Sequence, residues 1–317
     1  MKRIIAVILI LAIALTLAAC GQKTPVIGIN QYGEHASLDN CREGFLMGLE
    51  DAVLIEGKDF TTDYQNAGFD DGIAGQIAQS FSSKNVALMC AIATPSATAC
   101  YAAAEDKDIP VIFNAISDPE QANLTEGNIT GISDKLPVDA QLMLIRALQP
   151  EAKTIGIIYT TSEPNSVSTI ADYEAKAGDY GFTIESVGVS AQAEVTQAAD
   201  TLISKGVDCF SNLTDNNVVG VLSSILEKTN EAGIPVYGRE IEQVKLGCAA
   251  SAGIDYIELG RMAGKMAAKV LKGEAKASEM PYETVSEYST YINSDVIADM
   301  KITVPEDIAA KAIECAE

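Results

Sequence analysis

The residues of this chain that can do chemistry gather just beyond short apolar runs. Gln31, Tyr32 and His35 follow Val26 to Asn30, Thr94-Pro95-Ser96 follows Ala91-Ile92-Ala93, and Ser117 and Asp118 follow Val111 to Ile116. The arrangement then returns: Asn165 and Ser166 lie beyond Ile155 to Tyr159, Thr214, Asp215 and Asn216 beyond Cys209 to Leu213, and Arg239 with Glu240 beyond Val236. These are hydrogen-bonding groups and carboxylates, suited to gripping a small charged molecule. Thr94 at an N-cap with Pro95 in the first turn leaves the amides of Ser96 and Ala97 free for an anion such as a carboxylate. Asp118 or Asp215 can take an ammonium group, and Pro95, Tyr32 and aliphatic neighbours offer walls for a ring. Arg239 is the one basic residue in these loops, so phosphate, sulfate and dicarboxylates fit less well. Any single Ser, Thr, Asp or Asn in such a place also serves as a helix cap. Their gathering on one sheet edge in both halves is what points to a ligand, and His35 reads equally as a loop or a site residue.

Catalysis finds little support. G-x-S-x-G, G-x-x-x-x-G-K-[ST], H-E-x-x-H and G-x-G-x-x-G are all missing, and any triad would have to use the lone His35. With one His and no C-x-x-C, neither a metal cluster nor a cofactor is expected. The 317 residues carry 22 Lys+Arg against 44 Asp+Glu, a net charge of −22 that repels nucleic acid and anionic lipid. No Trp is present, which removes the commonest stacking platform for bases and sugars.

The opening residues read as an address. Lys2 and Arg3 precede an apolar run from Ile4 to Ala19, shorter than the roughly 20 residues that span a bilayer. The run closes on Leu17-Ala18-Ala19-Cys20, which resembles the bacterial lipobox, with Cys20 as the lipidated residue. Residues 1–19 are therefore read as a signal peptide and 20–25 as a lipidated tether. The body keeps 20 basic against 44 acidic residues, a charge of −24. Its six cysteines, Cys41, Cys90, Cys100, Cys209, Cys248 and Cys315, read as buried thiols; their even number also permits disulfides, and the spacing indicates no pairing.

The elements that must position these loops alternate. Strand-like runs near 60–65, 86–93, 109–116, 154–160, 182–189, 207–213, 234–237 and 245–251 alternate with helical periodicity near 70–83, 96–106, 138–149, 165–180, 192–205 and 216–232. Leu38, Cys41, Phe45, Leu49 and Val53 form one apolar helical face behind the first strand. Such an order predicts parallel βαβ units. Ile27-Gly28-Ile29 matches Ile155-Gly156-Ile157, and Ile109-Pro110-Val111 matches Ile234-Pro235-Val236, the mark of a duplicated Rossmann-like lobe. Lobe one is assigned residues 26–130 and 253–283, and lobe two 131–252 and 284–317. Asn128 to Asp134 is expected to be an extended connector, the first of three crossings that form a hinge.

The string Gly28-Ile29, His35-Ala36-Ser37-Leu38-Asp39, Arg42-Glu43-Gly44-Phe45, Gln65-Asn66-Ala67, Ala91 to Ser96, Asp118-Pro119, Thr130 to Asp134, Asn165-Ser166, Asp215-Asn216 and Gly253-Ile254-Asp255-Tyr256 resembles the ABC-transporter substrate-binding lipoproteins of the tryptophan/tyrosine type. The likeness runs from about Val26 to the C-terminus. It implies a type I periplasmic-binding-protein fold, an aromatic amino acid as ligand, no enzymatic activity, and delivery to a permease driven by a separate ATPase. It also places the ligand contacts in the strand-end loops, at Thr94, Ser96, Ser117, Asp118, Asn165, Ser166, Asp215 and Asn216. Two positions depart from the pattern: Ala36 where relatives commonly have Pro, and Asp255 where they commonly have Asn. A surface adhesion lipoprotein, a receptor-coupled sensor, or a binder of branched aliphatic amino acid, nucleoside or sugar would use the same fold.

Overall fold

The computed structural model describes residues 24–135, 137–285 and 287–316, so the leader and Cys20 lie outside the described residues. Lobe one begins with β1 (Val26–Gln31), α1 (Ala36–Asp51), β2 (Thr61–Asn66), α2 (Asp71–Lys84), β3 (Leu88–Ile92), α3 (Thr94–Ala104), β4 (Val111–Asn114) and β5 (Ile129–Ser133). Lobe two follows with α4 (Val138–Leu148), β6 (Thr154–Thr160), α5 (Pro164–Lys176), β7 (Thr183–Val189), α6 (Val195–Lys205), β8 (Cys209–Ser211), α7 (Asn216–Val219), α8 (Leu222–Ala232), β9 (Val236–Tyr237), α9 (Ile241–Leu246) and β10 (Ala250–Gly253). The chain returns to lobe one for α10 (Tyr256–Leu271) and β11 (Glu283–Thr284). It ends in lobe two with β12 (Ser289–Ile292), α11 (Ser294–Asp299), α12 (Glu306–Ala309) and β13 (Ile313–Glu314).

The first sheet has the order β11-β5-β4-β3-β1-β2, and all its pairs are parallel. The second has the order β13-β12-β10-β9-β8-β6-β7, parallel except where β12 runs against β10. Central strands such as β3 are buried on both faces, because helices cover both sides, and this produced the continuous apolar runs in the sequence. All six cysteines of the body are free and buried. Among the described residues no helix is long and apolar enough to cross a membrane.

Several expected boundaries move. The stretch taken as a connector is β5, a strand of the first sheet that pairs with β4 and, through Ser133, with Thr284 of β11. The first crossing therefore follows Ser133 instead of 130. Gly253 pairs with Ser289 and belongs to lobe two, and Thr284 belongs to lobe one. The run expected as a strand at 245–251 opens as the end of α9, because the Glu240 side chain caps that helix by accepting from the amides of Glu242 and Gln243.

One packing feature fixes the site's first helix. α1 lies against α10 so closely that a Cβ on Gly44 would meet the Ile257 carbonyl oxygen at 2.0 Å, and one on Gly48 the Arg261 oxygen at 2.2 Å. From the other side, Gly260 faces the Cys41 oxygen at 2.2 Å and Gly264 the Phe45 oxygen at 2.1 Å. Backbone meets backbone along this seam, so no side-chain adjustment can admit a methyl group. Replacing Gly48 by Val is expected to lower unfolding free energy by about 3 kcal/mol in urea titration. Gly75→Ala on α2, where a Cβ meets nothing within 4 Å, should raise it by about 0.5–1 kcal/mol.

Candidate functional site

Both sheets present the carboxyl ends of their strands to the same gap, and the gap is closed. Ser37 Oγ of lobe one donates to Glu240 Oε1 of lobe two at 3.0 Å, and Asn40 Nδ2 donates to Glu242 Oε1 at 2.9 Å. On the other flank Ser168 Oγ donates to Asp118 Oδ2 at 2.7 Å, and the Ser117 and Thr214 hydroxyls meet at 3.0 Å. These contacts border a narrow pocket between the lobes. Its polar wall is Thr94, His35, Asn165, Asn216, Asp134 and Glu240, and its apolar wall Leu38, Ala115, Val219 and the Tyr256 ring.

The wall is chemically incomplete in an informative way. Thr94 Oγ1 and Asn165 Oδ1 are buried and have no hydrogen-bond partner within the protein. α3 begins at Thr94 behind Ala93, which has no side chain to cap it, and Pro95 carries no N–H. Ala93 sits at φ 77°, ψ 156°, and Ala115, the residue after β4 beside the cavity, at φ 59°; both are backbone conformations that a Cβ disfavours. Together the hydroxyl, the uncapped first turn and the strained strand ends make a pole for an anion.

The opposite pole is acidic. Asp134 Oδ1 accepts from Ser117 and Oδ2 from Tyr256 Oη at 2.5 Å, leaving each oxygen a further lone pair. Burial pushes the Glu240 carboxyl up to about 7, against the hydrogen bonds from Glu242, Ser37 and Gln243 that favour its charged form. Burial likewise raises Asp134. The ring nitrogens of His35 are buried too, and burial holds the imidazole down to about 4, with Asn216 beside it and Asp39 only partly opposing this. At neutral pH His35 is thus uncharged, and the nearby charge of buried Arg239 opposes the rise of Asp134.

Of the residues expected from sequence, Thr94, Asn165, Thr214, Asn216 and Glu240 stand on the cavity wall. The others stand behind it, engaged by protein partners. Asp215 caps α7 and accepts from Thr160 N at 2.5 Å, Thr160 Oγ1, Val218 N and the Ser166 side chain, so its lone pairs are filled and it cannot take an ammonium. Asp118 holds Ser168, Lys135 and the Gln121 amide; these bonds outweigh burial and keep its carboxyl below the usual range. Ser96 donates to Asn30, Gln31 ties Gly33 and Asp39 to Arg42, and Ser117 bridges Asp134 and Thr214. Tyr32 donates to Asp71 and Phe69 within its own lobe, and Pro95 is off the wall as well, so neither supplies the ring platform. Asp134 and Tyr256 are the additions; both lie at crossings, Asp134 directly after β5 and Tyr256 at the start of α10, and both stand in the strings that carry the family resemblance without a ligand role there. At the two departures from the family pattern, Asp255 caps α10, as Asn would, and Ala36 opens α1, where Pro would also fit.

Behind the cavity lies a second buried acid. Glu163 accepts from the backbone and side-chain nitrogens of both Asn216 and Asn217 and from Asn165. This clasp aims the Asn165 side chain, leaving its oxygen toward the gap. Burial, with the Asp215 charge adding to it, pushes the Glu163 carboxyl up to about 8.

Two α/β lobes joined by three crossings and closed over a polar cavity define a bilobed solute-binding protein. The chain belongs to the ABC transporter substrate binding protein family, whose model matches residues 26–316. Members of this family are extracytoplasmic binders and not enzymes. The chain is 39% identical over 285 residues to a tyrosine-binding protein of Clostridioides difficile, covering 87% of this chain and 81% of that one. It superposes on a domain from Streptococcus pneumonia in complex with L-Trp at a TM-score of 0.88, with 31% identity, covering 93% and 100% of the two chains. Against the ligand-free, open structure of a substrate-binding protein with adhesive properties from Clostridium difficile, the TM-score is 0.67 at 34% identity, covering 92% and 99%.

The Glu240 shift has a testable sign. A carboxyl raised from about 4.5 to about 7 in the folded state adds stability that is complete below pH 4.5 and lost as pH rises through 7. Urea titrations should show the unliganded protein losing about 3 kcal/mol from this group across that window, and Glu240→Gln should flatten the profile. Parallel profiles for the two proteins would contradict the assignment.

Proposed function

We propose that this chain is the lipid-anchored binding subunit of an ABC importer and carries an aromatic amino acid, tyrosine, phenylalanine or tryptophan, to a permease and its ATPase. Cys20 is the anchoring residue. The observation that carries the ligand class is the pairing of unpartnered buried atoms with carboxyls in one closed cavity. A zwitterion supplies what each pole lacks: its carboxylate meets Thr94 Oγ1 and the first turn of α3, and its ammonium meets Asn165 Oδ1 and Glu240. The side chain then lies among Leu38, Val219 and the rings of His35 and Tyr256. The tyrosine-binding and Trp-bound relatives support an aromatic side chain there. The relative with adhesive properties supports a second, surface role for the same body.

Calorimetry of the body from Gln22 onward against the twenty amino acids tests this. Tyrosine, phenylalanine or tryptophan should bind, and Thr94→Val should weaken binding by roughly 10–100-fold through loss of one charge-assisted hydrogen bond. Because the ammonium needs Glu240 ionised, binding at pH 6 should release a proton, read from the heat in buffers of different ionisation enthalpy, and Glu240→Gln should abolish the release. Binding of a sugar, nucleoside or branched aliphatic amino acid in preference to all three would overturn the reading.

A further inference from the structure

Lobe one carries an exposed apolar tip at the end away from the cavity. α1 starts beside the cavity and runs for 16 residues, about 24 Å, to Asp51. The chain then turns through Val53, Leu54 and Ile55, with Val53 76% exposed and Ile55 49% exposed. Val53 sits at φ 62°, in the left-handed region that a β-branched residue disfavours. Glycine or asparagine would relieve both the strain and the exposure, so folding alone gives no reason for valine. Leu46, Met47 and Phe60 line a shallow groove behind the tip, rimmed by Glu43, Glu50 and Glu56.

The tip lies where the chain enters the fold. Thr61 N donates to the Pro25 carbonyl at 2.9 Å, Glu56 bridges Phe60, and Asp59 N donates to the Ile55 carbonyl at 2.8 Å. At ordinary strand spacing this puts Ile55 within about 10 Å of Pro25. Cys20 is five residues before Pro25, a reach of at most about 18 Å.

We propose that the Val53–Ile55 tip is a second membrane contact: it rests in the neutral headgroup region of the bilayer to which Cys20 tethers the chain. The proposal depends on the lipid-anchor reading above. So small an apolar surface cannot hold a protein on a membrane unaided, but a short tether presents it to the bilayer at high effective concentration. The rim glutamates and the −24 charge of the body select a zwitterionic surface and keep the contact shallow. Lobe one would then stand on its base, with the cavity about 24 Å, one length of α1, above the lipid.

The chain has no Trp, and its other cysteines are buried, so both a fluorophore and a coupling site can be placed cleanly. Chains starting at Cys20 and carrying Ile55→Trp or Ile73→Trp are coupled through Cys20 to a maleimide lipid in phosphatidylcholine vesicles with or without brominated acyl chains. Ile73 is 44% exposed and sits in the first turn of α2, at the cavity end of the lobe. Bromination should quench the emission of the Ile55→Trp chain by about two-fold or more and leave that of the Ile73→Trp chain unchanged. Adding Val53→Asp to the Ile55→Trp chain should abolish its quenching. Equal quenching of both chains, quenching of neither, or a blue shift in the Ile55→Trp chain that follows protein concentration without vesicles, as self-association would give, overturns the proposal. The anchor itself is tested separately, by incorporation of labelled palmitate into the wild-type chain and not into Cys20→Ser in cells; chemical coupling makes the tip experiment independent of that result.

Discussion

A buried polar atom without a partner costs about 1–3 kcal/mol, and a protein that closes over several of them is held closed by something else. Here the cross-cleft bonds from Ser37, Asn40 and Ser168 oppose the burial of Thr94 Oγ1, Asn165 Oδ1 and two carboxyls that their surroundings disfavour as anions. A guest with an anionic group at one end and a cationic group at the other removes the penalty at both poles. The same guest also adds contacts to both lobes at once. In the proposed reading closure and selection are one event, and a molecule lacking either charge leaves part of the wall unsatisfied.

The scaffold serves that closure by keeping each wall stiff. The glycine seam between α1 and α10 fixes the helix that carries Ser37 and Leu38 to the helix that carries Tyr256. In lobe two, Glu163 and Asp215 gather the loop ends after β6 and β8 into one hydrogen-bonded block. These acids are buried at a cost, and what they position is the neutral amide of Asn165. With His35 neutral, hydroxyl and amide donors stand on the wall to meet the carboxylate of the proposed guest.

Much of this was legible in the sequence. Apolar runs separated by helical periodicity gave two parallel-sheet lobes, because strands buried on both faces have little choice of composition. Polar residues after those runs include five that line the gap between the lobes: Thr94, Asn165, Thr214, Asn216 and Glu240. Alternation could not say which polar side chain turns inward: Asp215, Asp118, Thr94 and Asn165 look alike as strand-end residues, and only the three-dimensional supply of donors separates a filled carboxylate from an open oxygen. Asp134 and Tyr256 stand in the family strings, yet nothing in the sequence assigns them to the wall, for a different reason. They lie where the chain changes lobes, and β5 reads as a connector until its partner β11, about 150 residues later, is in place. The spacing of Gly44 with Gly48 and of Gly260 with Gly264 was visible, but a helix–helix seam is a property of the pair.

A crystal structure of the chain with L-tyrosine tests the central claim most directly. The account requires the amino acid to lie in the interlobe cavity, its carboxylate within hydrogen-bond distance of Thr94 Oγ1 and its ammonium within that distance of Asn165 Oδ1 and Glu240, with Asp215 still bound to Thr160. A guest in the reverse orientation, or an ammonium seated on Asp215 with the bonds to Thr160 broken, would contradict it.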